Sequence, residues 1–211
     1  MIFKDRVDAG EKLSEKLGSF KERQDTILFA VPRGGVIVAK VIADRLKIPL
    51  DIVLAKKIGA PFNKEFAIAA VDINGDVVLN NEYIKYFSMK DEYIQHQKKR
   101  VLESLKDQMI MYRGSVEYKS LENKVAIIVD DGIATGTTTK ACIRFLSKLN
   151  PKEIYVATPV IAPSTLEEMQ KECNGIFYII STEPFWAVGQ FYSDFSQVSD
   201  EDIKKYLAKI F

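Results

Sequence analysis

Residues 124–141 contain the feature that most constrains the fold of this chain. Val125–Val129 is a run of apolar, mostly β-branched residues, too short for a helix and typical of a buried strand in a parallel sheet. Two carboxylates, Asp130 and Asp131, follow the run, and then a turn rich in glycine and threonine. An amphipathic helix, Thr137–Leu149, is predicted to begin inside that turn. The stretch therefore predicts a strand, a polar loop and a helix in direct succession.

The loop of this unit has the composition of a site for a phosphorylated sugar. In open α/β sheets, ligands bind where strands end and helices begin. Backbone N–H groups and hydroxyls at the positive end of a helix suit a phosphate, while Asp130 and Asp131 suit sugar hydroxyls or a metal held through water. The alternative is an ordinary turn in which threonines cap the helix. The apolar strand, the paired acids and the Gly/Thr turn together favour the sugar-phosphate site.

Length and composition limit the class of protein. The chain has 211 residues, which suffices for one α/β domain with a sizeable core. Its formal charge of +1 offers no electrostatic basis for binding nucleic acid or membranes. Two cysteines and one histidine are too few for a disulfide framework or a zinc site. No apolar run resembles a signal peptide or approaches the length of a membrane span, so we expect a reduced, cytoplasmic protein.

The remaining chain alternates strands and helices. Further strands are predicted at Thr26–Val31, Pro49–Ala55, Glu153–Thr158 and Gly175–Ile180, and further helices at Asp5–Leu17, Val36–Leu46 and Pro163–Cys173. About five core strands joined by helical crossovers predict a doubly wound, mainly parallel sheet flanked by helices.

Two segments depart from this alternation. Val71–Leu79 is predicted to form a hairpin around Asn74-Gly75, a strong turn signal. A long helix is predicted from Met89 to Tyr112 after an N-cap at Ser88. We expect a single domain of residues 1–211, with a helical insertion at 80–118 and a C-terminal hood or tail at 181–211.

A second polar turn, Pro32-Arg33-Gly34-Gly35, follows the first core strand. Two glycines let the backbone approach an oxyanion, and an arginine can bind one through two parallel N–H groups. The alternative is a plain turn with a solvated arginine. The acid-bearing loop elsewhere in the chain favours the anion site.

Two lysines, Lys56 and Lys57, follow the predicted strand Pro49–Ala55. At the carboxyl end of a strand they would lie on the binding edge of the sheet and could neutralise a diphosphate. The alternative is that both are solvated surface lysines. Their position favours binding for at least one of the two, and the choice between them stays open.

The unit at 125–139 closely resembles the phosphoribosyl-pyrophosphate (PRPP) motif of the type I phosphoribosyltransferases, which combines an apolar strand, two acids and a Thr-Gly-containing loop. The resemblance implies that Asp130 and Asp131 face the ribose 2′ and 3′ hydroxyls. It also implies that the loop wraps the 5′-phosphate, through Ala134, Thr135, Gly136, Thr137 and Thr138. The turn with Arg33, Gly34 and Gly35 then corresponds to the pyrophosphate loop. Gly132 departs from the family, which usually has an aliphatic residue there, and this predicts a more mobile loop.

An aromatic stretch, Pro184–Phe195, ends the predicted core. Most of its aromatic residues are expected to seal the sheet edge. In purine phosphoribosyltransferases an aromatic residue before an apolar-Val-Gly segment stacks on the base, so the resemblance points to Trp186 for stacking and to the Ala187–Val188 backbone for the base edge. By the same resemblance, Asp194 is a candidate for placing magnesium.

Two departures bear on the acceptor. Members that act on 6-oxopurines have an acid in the phosphate loop, where this chain has Ala134. They also read the oxo group with a lysine after the next strand, where this chain has residues 160–163, which include no lysine. These departures argue against a hypoxanthine/guanine activity.

The resemblance implies a pentosyltransferase of nucleotide metabolism that transfers 5-phosphoribosyl from PRPP to a nucleobase or related acceptor and releases pyrophosphate. The implied catalytic residues are Asp130, Asp131, Arg33, Lys56 and Lys57. Mg²⁺ is expected mainly on PRPP oxygens and water, with Asp130, Asp131 and Asp194 as candidate contacts, and the protein is expected to be a homodimer. The main alternative is a non-catalytic regulator that binds PRPP or a nucleotide. A Rossmann-type oxidoreductase would need a Gly-x-Gly-x-x-Gly turn, which this sequence lacks, and this argues against that class.

Overall fold

A parallel sheet flanked by helices forms the centre of this protein, and it confirms the predicted α/β class. The computed structural model describes residues 2–87 and 91–207, without the side chains of residues 65–66 and 81–83. The strands are β1 Thr26–Ala30, β2 Leu50–Ile52, β3 Ala55–Ala60, β4 Asn63–Asp72, β5 Val77–Leu79, β6 Val125–Val129, β7 Glu153–Val160 and β8 Gly175–Ile180. The helices are α1 Arg6–Lys16, α2 Gly34–Leu46, α3 Asn81–Tyr86, α4 Asp91–Arg113, α5 Thr137–Ser147, α6 Pro163–Met169 and α7 Asp200–Leu207.

The central sheet has the strand order β2-β1-β6-β7-β8, and all its neighbours pair in parallel. The chain winds outward from β1 in one direction and from β6 in the other. Right-handed crossovers therefore place α2 and α5 on opposite faces of the sheet. The junction of β1 and β6 is the topological switch point, where open α/β sheets bind their ligands.

Burial explains why β6 lies at the centre. All five of its side chains are buried, as expected for a strand covered by helices on both faces. Leu28 on β1 and Ile127 on β6 are fully buried in the same core. Among residues 2–87 and 91–207, no helix is both long enough and apolar enough to cross a membrane.

A second sheet, β3-β4-β5, is antiparallel. The turn between β4 and β5 contains Gly75 at φ +86°, and Asp72 accepts hydrogen bonds from the backbone N–H groups of Asn74 and Asp76. The predicted hairpin is thus confirmed. This sheet packs against both α4 and α5.

Some element bounds differ from the sequence prediction. Strand β2 is only three residues long. The chain then turns into β3, where we expected the carboxyl end of one strand with two lysines at the binding edge of the sheet. The long insertion helix α4 ends at Arg113, while the predicted start at Ser88 and Met89 lies outside the described residues. Helix α6 ends at Met169, before the predicted end at Cys173.

Helix α7 was not predicted. Its start has a recognisable signal in Ser199 and Asp202, because Ser199 accepts a hydrogen bond from the backbone of Asp202 and Asp202 accepts one from the backbone of Ser199. This reciprocal capping is a sequence-level mark of a helix start. The helix contacts α2 and α4. These contacts bring it to the turn that contains Arg33, which is described below.

Candidate functional site

The two polar turns predicted from the sequence meet at the switch point of the sheet. Strands β1 and β6 pair in register, with Ala30 opposite Val129, so the residues that follow each strand lie side by side. The backbone N–H of Val31 donates to the carbonyl of Val129 at 2.8 Å, which extends the pairing beyond the strand end. The paired acids and the turn that contains Arg33 therefore occupy one edge of the sheet.

Glycine is required where these turns touch. A Cβ on Gly35 would lie 2.7 Å from the carbonyl oxygen of Val129, and a Cβ on Gly34 would lie 1.8 Å from Oδ2 of Asp131. Both glycines open helix α2, and the first N–H groups of a helix have no partner within the helix. The close approach thus leaves helix N–H donors next to a carboxylate-bearing loop.

Asp130 is the inner of the two acids. Burial, and to a lesser degree the neighbouring Asp131 carboxylate, raises the pKa of Asp130 well above its usual range. One of its oxygens accepts the backbone N–H of Asp131 at 2.9 Å. A raised pKa at a sheet edge of this kind is a common mark of a functional site.

Asp131 is the outer acid, and two residues that the sequence analysis did not select hold it. Arg6, at the start of α1, donates from Nε to Oδ2 of Asp131 at 2.7 Å. The hydroxyl of Tyr192 donates to the backbone carbonyl of Asp131 at 2.6 Å. The side chains of Arg6 and Asp131 are only 10% and 14% exposed, so water screens this ion pair less than it screens a surface pair.

The loop between β6 and α5 closes around a left-handed glycine. Gly136 has φ +67° at the N-cap of α5, a conformation that favours glycine. The hydroxyl of Thr165 donates to the carbonyl of Ala134, which ties the loop to α6. With Gly136 in this conformation, the loop delivers its backbone to the N-terminus of an 11-residue helix.

A polar cavity of about 410 Å³ borders the same loop on the side of α5 and α6. Lys140 and Arg144 line it, and they form ion pairs with Glu168 and Glu172. Because these charges cancel in pairs, the cavity has no excess positive charge from them. Neither Asp130 nor Asp131 lines it.

Arg33 lies at the mouth of the turn and is 43% exposed. Its Nη1 is 3.6 Å from Oδ1 of Asp200, the first residue of α7. The hydroxyl of Tyr112, from the end of α4, donates to the same oxygen. Burial and this contact raise the pKa of Tyr112 to about 12. The arginine predicted to bind an anion is thus already beside a carboxylate of the chain.

The two lysines lie in β3 and not at the free end of a core strand. The Nζ of Lys56 donates to the hydroxyl of Ser104 on α4 at 2.7 Å. Lys57 is the next residue of the strand, so its side chain points to the opposite face, and it is exposed. The expectation that both follow directly on a buried parallel strand was wrong, because β2 stops at Ile52 and an antiparallel strand begins at Ala55.

Comparison with known proteins identifies the family. The family model described as "Phosphoribosyl transferase domain" matches residues 4–196. The chain belongs to the phosphoribosyl transferase family.

One curated relative and one solved structure are similar to this chain over almost all of its length. A Mycobacterium tuberculosis protein named "Putative phosphoribosyl transferase Rv0571c" is 30% identical over 206 residues, which cover 98% of this chain and 46% of the relative. The chain therefore spans about half the length of this curated relative. The crystal structure of TT1426 from Thermus thermophilus is 33% identical, covers 99% of both chains and superposes with a TM-score of 0.80.

The segment predicted to hold the acceptor base contains an exposed tryptophan and a backbone already bonded within the segment. Trp186 is 84% exposed. The backbone N–H groups of Trp186 and Ala187 donate to Oε1 of Gln190 at 2.8 and 3.1 Å. A Cβ on Gly132 would lie 2.2 Å from Cγ1 of Val188, so Val188 fills the space that an aliphatic residue at position 132 would take.

Asp194, the other predicted metal contact, lies at the surface of the same segment. Its carboxylate accepts hydrogen bonds from the hydroxyl and the backbone N–H of Ser196, and these bonds lower the pKa of Asp194. Its backbone N–H donates to the carbonyl of Lys4. Nothing in these contacts brings Asp194 to the paired acids.

Proposed function

We propose that this domain transfers a 5-phosphoribosyl group from PRPP to a nucleobase-like acceptor and releases pyrophosphate. The contact between the Gly34–Gly35 turn and Asp131 carries the proposal. In PRPP the pyrophosphate is attached to the anomeric carbon, next to the 2′-hydroxyl. The pyrophosphate and the 2′-hydroxyl are neighbours in PRPP, as the Gly34–Gly35 turn and Asp131 are neighbours in the site.

Each part of the donor has a chemically suitable partner. Asp130 and Asp131 would accept hydrogen bonds from the ribose hydroxyls, since carboxylates are strong acceptors. Residues 134–138 would bind the 5′-phosphate with loop N–H groups at the start of α5. The N–H groups at the start of α2 and the guanidinium of Arg33 would bind pyrophosphate, which requires Arg33 to leave Asp200.

The reaction is a substitution at the anomeric carbon. The bond from that carbon to the pyrophosphate oxygen breaks, and the electron pair leaves with pyrophosphate. An acceptor nitrogen forms the new bond to the carbon and loses its proton to solvent. Positive charge grows on the sugar ring and negative charge on the leaving group. Asp131 would stabilise the ring, while Arg33 and the α2 N–H groups would stabilise pyrophosphate. One of the two lysines of β3, Lys56 or Lys57, would add positive charge for pyrophosphate, and the choice between them stays open.

Magnesium fits this site as an ion held chiefly by the donor. Within residues 2–87 and 91–207, no group of three or more His, Cys, Asp or Glu residues could hold a metal ion. Mg²⁺ keeps several waters and binds proteins through one or two carboxylates plus substrate phosphates. Asp131 supplies one such carboxylate, and Asp130, whose pKa is raised, would supply a second once Mg²⁺ displaces its proton. The ion would neutralise pyrophosphate charge. The hydrogen bonds of Asp194 join it to Ser196 and Lys4 and not to that pair.

A pyrophosphate-release assay tests the proposal. Purified protein is mixed with PRPP, Mg²⁺ and a panel of purine, pyrimidine and related acceptors, and released pyrophosphate is measured. We expect release that depends on one class of acceptor and is lost in Asp131→Asn. Tight PRPP binding without turnover on any acceptor would contradict the transferase proposal.

One observation favours a second function, that of a non-catalytic sensor of PRPP or a nucleotide. The N–H groups of Trp186 and Ala187 are bonded to Gln190, so the backbone expected to read a base edge is already occupied. A sensor would bind PRPP or a nucleotide tightly in the absence of turnover. The same acceptor panel distinguishes the two functions.

The setting of the protein is part of the proposal. Low cysteine content supports a reduced, cytoplasmic environment, and the family resemblance supports a homodimer that acts in nucleotide metabolism. Light scattering on protein eluted from a size-exclusion column measures its molecular mass and so tests the dimer. A monomeric mass at micromolar concentration would contradict it.

A further inference from the structure

Arg6 joins three parts of the donor site. Its Nε binds Oδ2 of Asp131, its Nη1 donates to the carbonyl of Ser196 at 2.9 Å, and its guanidinium lies 4.0 Å over the ring of Phe195. A Cβ on Gly34 would lie 2.7 Å from Nε of Arg6. The arginine thus lies against the turn that contains Gly34, the outer acid Asp131 and the C-terminal segment.

The two ends of the chain fix Arg6 in this position. Phe3 forms a parallel bridge with Tyr192, and its backbone exchanges hydrogen bonds with Phe191 and Ser193 at 2.8 and 2.7 Å. Helix α1 begins three residues later with Arg6. The bridge therefore sets both the arginine that binds the Asp131 carboxylate and the tyrosine that binds its carbonyl.

These contacts leave the Asp131 carboxylate little freedom. Oδ2 lies between Nε of Arg6 and the backbone of Gly34, so this oxygen faces the protein. The other oxygen, Oδ1, takes part in neither of these two contacts, so it is the oxygen that we assign to a ligand hydroxyl. A planar guanidinium held by stacking and a second hydrogen bond is a rigid donor for such orientation.

We propose that Arg6 is a positioning residue for the ribose of PRPP, which acts through Asp131 by holding Oδ2 and presenting Oδ1 to a ribose hydroxyl. This inference rests on the proposed function. It assigns Arg6 to the ribose part of the site, although Arg6 also lies near Gly34, in the turn proposed to bind pyrophosphate. A direct role of Arg6 in binding pyrophosphate is the competing assignment.

Two probes separate these assignments. Ribose 5-phosphate contains the hydroxyls without pyrophosphate, and inorganic pyrophosphate lacks the sugar. Titration calorimetry in the presence of Mg²⁺ would measure the dissociation constant of each probe for the full chain, for Arg6→Met, for Asp131→Asn and for the double variant. Arg6→Met removes the N–H donors and keeps an unbranched apolar side chain against Phe195.

We expect Arg6→Met to weaken ribose 5-phosphate binding about 10- to 100-fold, by analogy with the range known for groups that orient metal-binding side chains. Pyrophosphate binding should stay within about twofold, which also shows that the variant is folded. In the Asp131→Asn background the Arg6 substitution should have little further effect on ribose 5-phosphate, because coupled residues are not additive. Arg6→Lys should restore part of the lost affinity, since it keeps a cation beside Asp131.

Arg45→Gln is the matched control. Arg45 pairs with Glu11 at 3.8 Å and links α2 to α1, so the variant loses an interhelical arginine contact remote from the acids. Both probes should bind Arg45→Gln as they bind the parent.

Two results would overturn the inference while leaving the proposed function intact. One is unchanged ribose 5-phosphate binding by Arg6→Met when the parent binds both probes. The other is a loss in Arg6→Met that is equal for both probes, or additive with Asp131→Asn. A parent protein that binds neither probe nor PRPP would instead contradict the proposed function itself.

Discussion

At the scale of single residues, the site depends on how closely two loops approach each other. Gly34 leaves room for the Asp131 carboxylate, and Arg6 fixes that carboxylate from the other side. Asp130 is held where ionisation is costly. Burial of Asp130 lowers the stability of the folded protein, while Gly34 and Arg6 fix the geometry of the site. Such a loss of stability is common at functional sites.

Gly34→Ala tests the close approach. The added methyl group would meet the Asp131 carboxylate, so the carboxylate or the turn must shift. A misplacement of about 1 Å can cost about 100-fold in rate, and we expect a loss of that order in PRPP-dependent pyrophosphate release.

Gly18→Ala is its control, because a Cβ on Gly18 would meet nothing within 4 Å. This variant should keep full activity, with a stability change of at most about 1 kcal/mol. Equal activity of Gly34→Ala and Gly18→Ala would show that the contact between the turns does not matter.

The raised pKa of Asp130 predicts a pH-dependent gain in stability for Asp130→Asn. Below about pH 4 the acid is protonated in both the folded and the unfolded state, and the parent and the variant should be similarly stable. As the pH rises, the unfolded chain releases the proton while burial opposes release in the folded state. The parent therefore loses stability that the amide keeps.

Thermal unfolding of both proteins across this range is the measurement. We expect the midpoint of Asp130→Asn to exceed that of the parent increasingly between about pH 4 and pH 7. A variant that is less stable than the parent at neutral pH would mean that the folded protein favours the carboxylate.

At the scale of secondary-structure elements, two helix N-termini and one helix from the C-terminal end converge on the site. Helix α2 begins at Gly34 and α5 at Thr137, so both positive helix ends lie at the switch point of the sheet. Helix α7 brings Asp200 to Arg33. That acid opposes the binding of an anion at the same arginine.

Removal of the Asp200 charge should therefore strengthen pyrophosphate binding. An amide at this position can still accept the hydrogen bond from Tyr112 but no longer attracts Arg33. Both partners are more than 40% exposed, so we expect an increase in affinity of about two- to fivefold in Asp200→Asn, consistent with the energy of exposed pairs. The gain should shrink at high salt.

Glu201→Gln is the matched control for that measurement. It removes an equivalent charge from the first turn of α7 at an exposed position, so it reproduces any loss of helix stability. Pyrophosphate affinity that rises equally in both variants would indicate a general charge effect and not competition at Arg33.

At the scale of the whole molecule, the parts that followed from sequence are those set by local pattern. The run Val125–Val129 and the strand Gly175–Ile180 have the predicted bounds, because short apolar runs between turns indicate strands. Only the first is buried as expected, since Gly175–Ile180 lies at the edge of the sheet and is partly exposed. The doubly wound, mainly parallel character of the sheet also followed from the sequence, because the strands alternate with helical crossovers, whereas the strand order β2-β1-β6-β7-β8 was not predicted.

The parts that did not follow depend on long-range contacts. Arg6 and Asp131 are 125 positions apart, and a lone arginine in a first helical turn has no pattern that reveals its partner. Lys56 faces Ser104 because a three-residue β2 gives way to an antiparallel strand, a change that composition does not show. Helix α7 was the exception, since Ser199 and Asp202 mark its start.

The central claim is that the sheet edge formed by β1 and β6 binds PRPP through its paired acids. Calorimetric titration of PRPP with Mg²⁺ into the parent and into the double variant Asp130→Asn/Asp131→Asn tests it most directly. We predict saturable binding to the parent, no measurable binding to the variant, and cooperative unfolding of both proteins. Unchanged PRPP affinity in a folded double variant would place the PRPP site elsewhere and contradict the account.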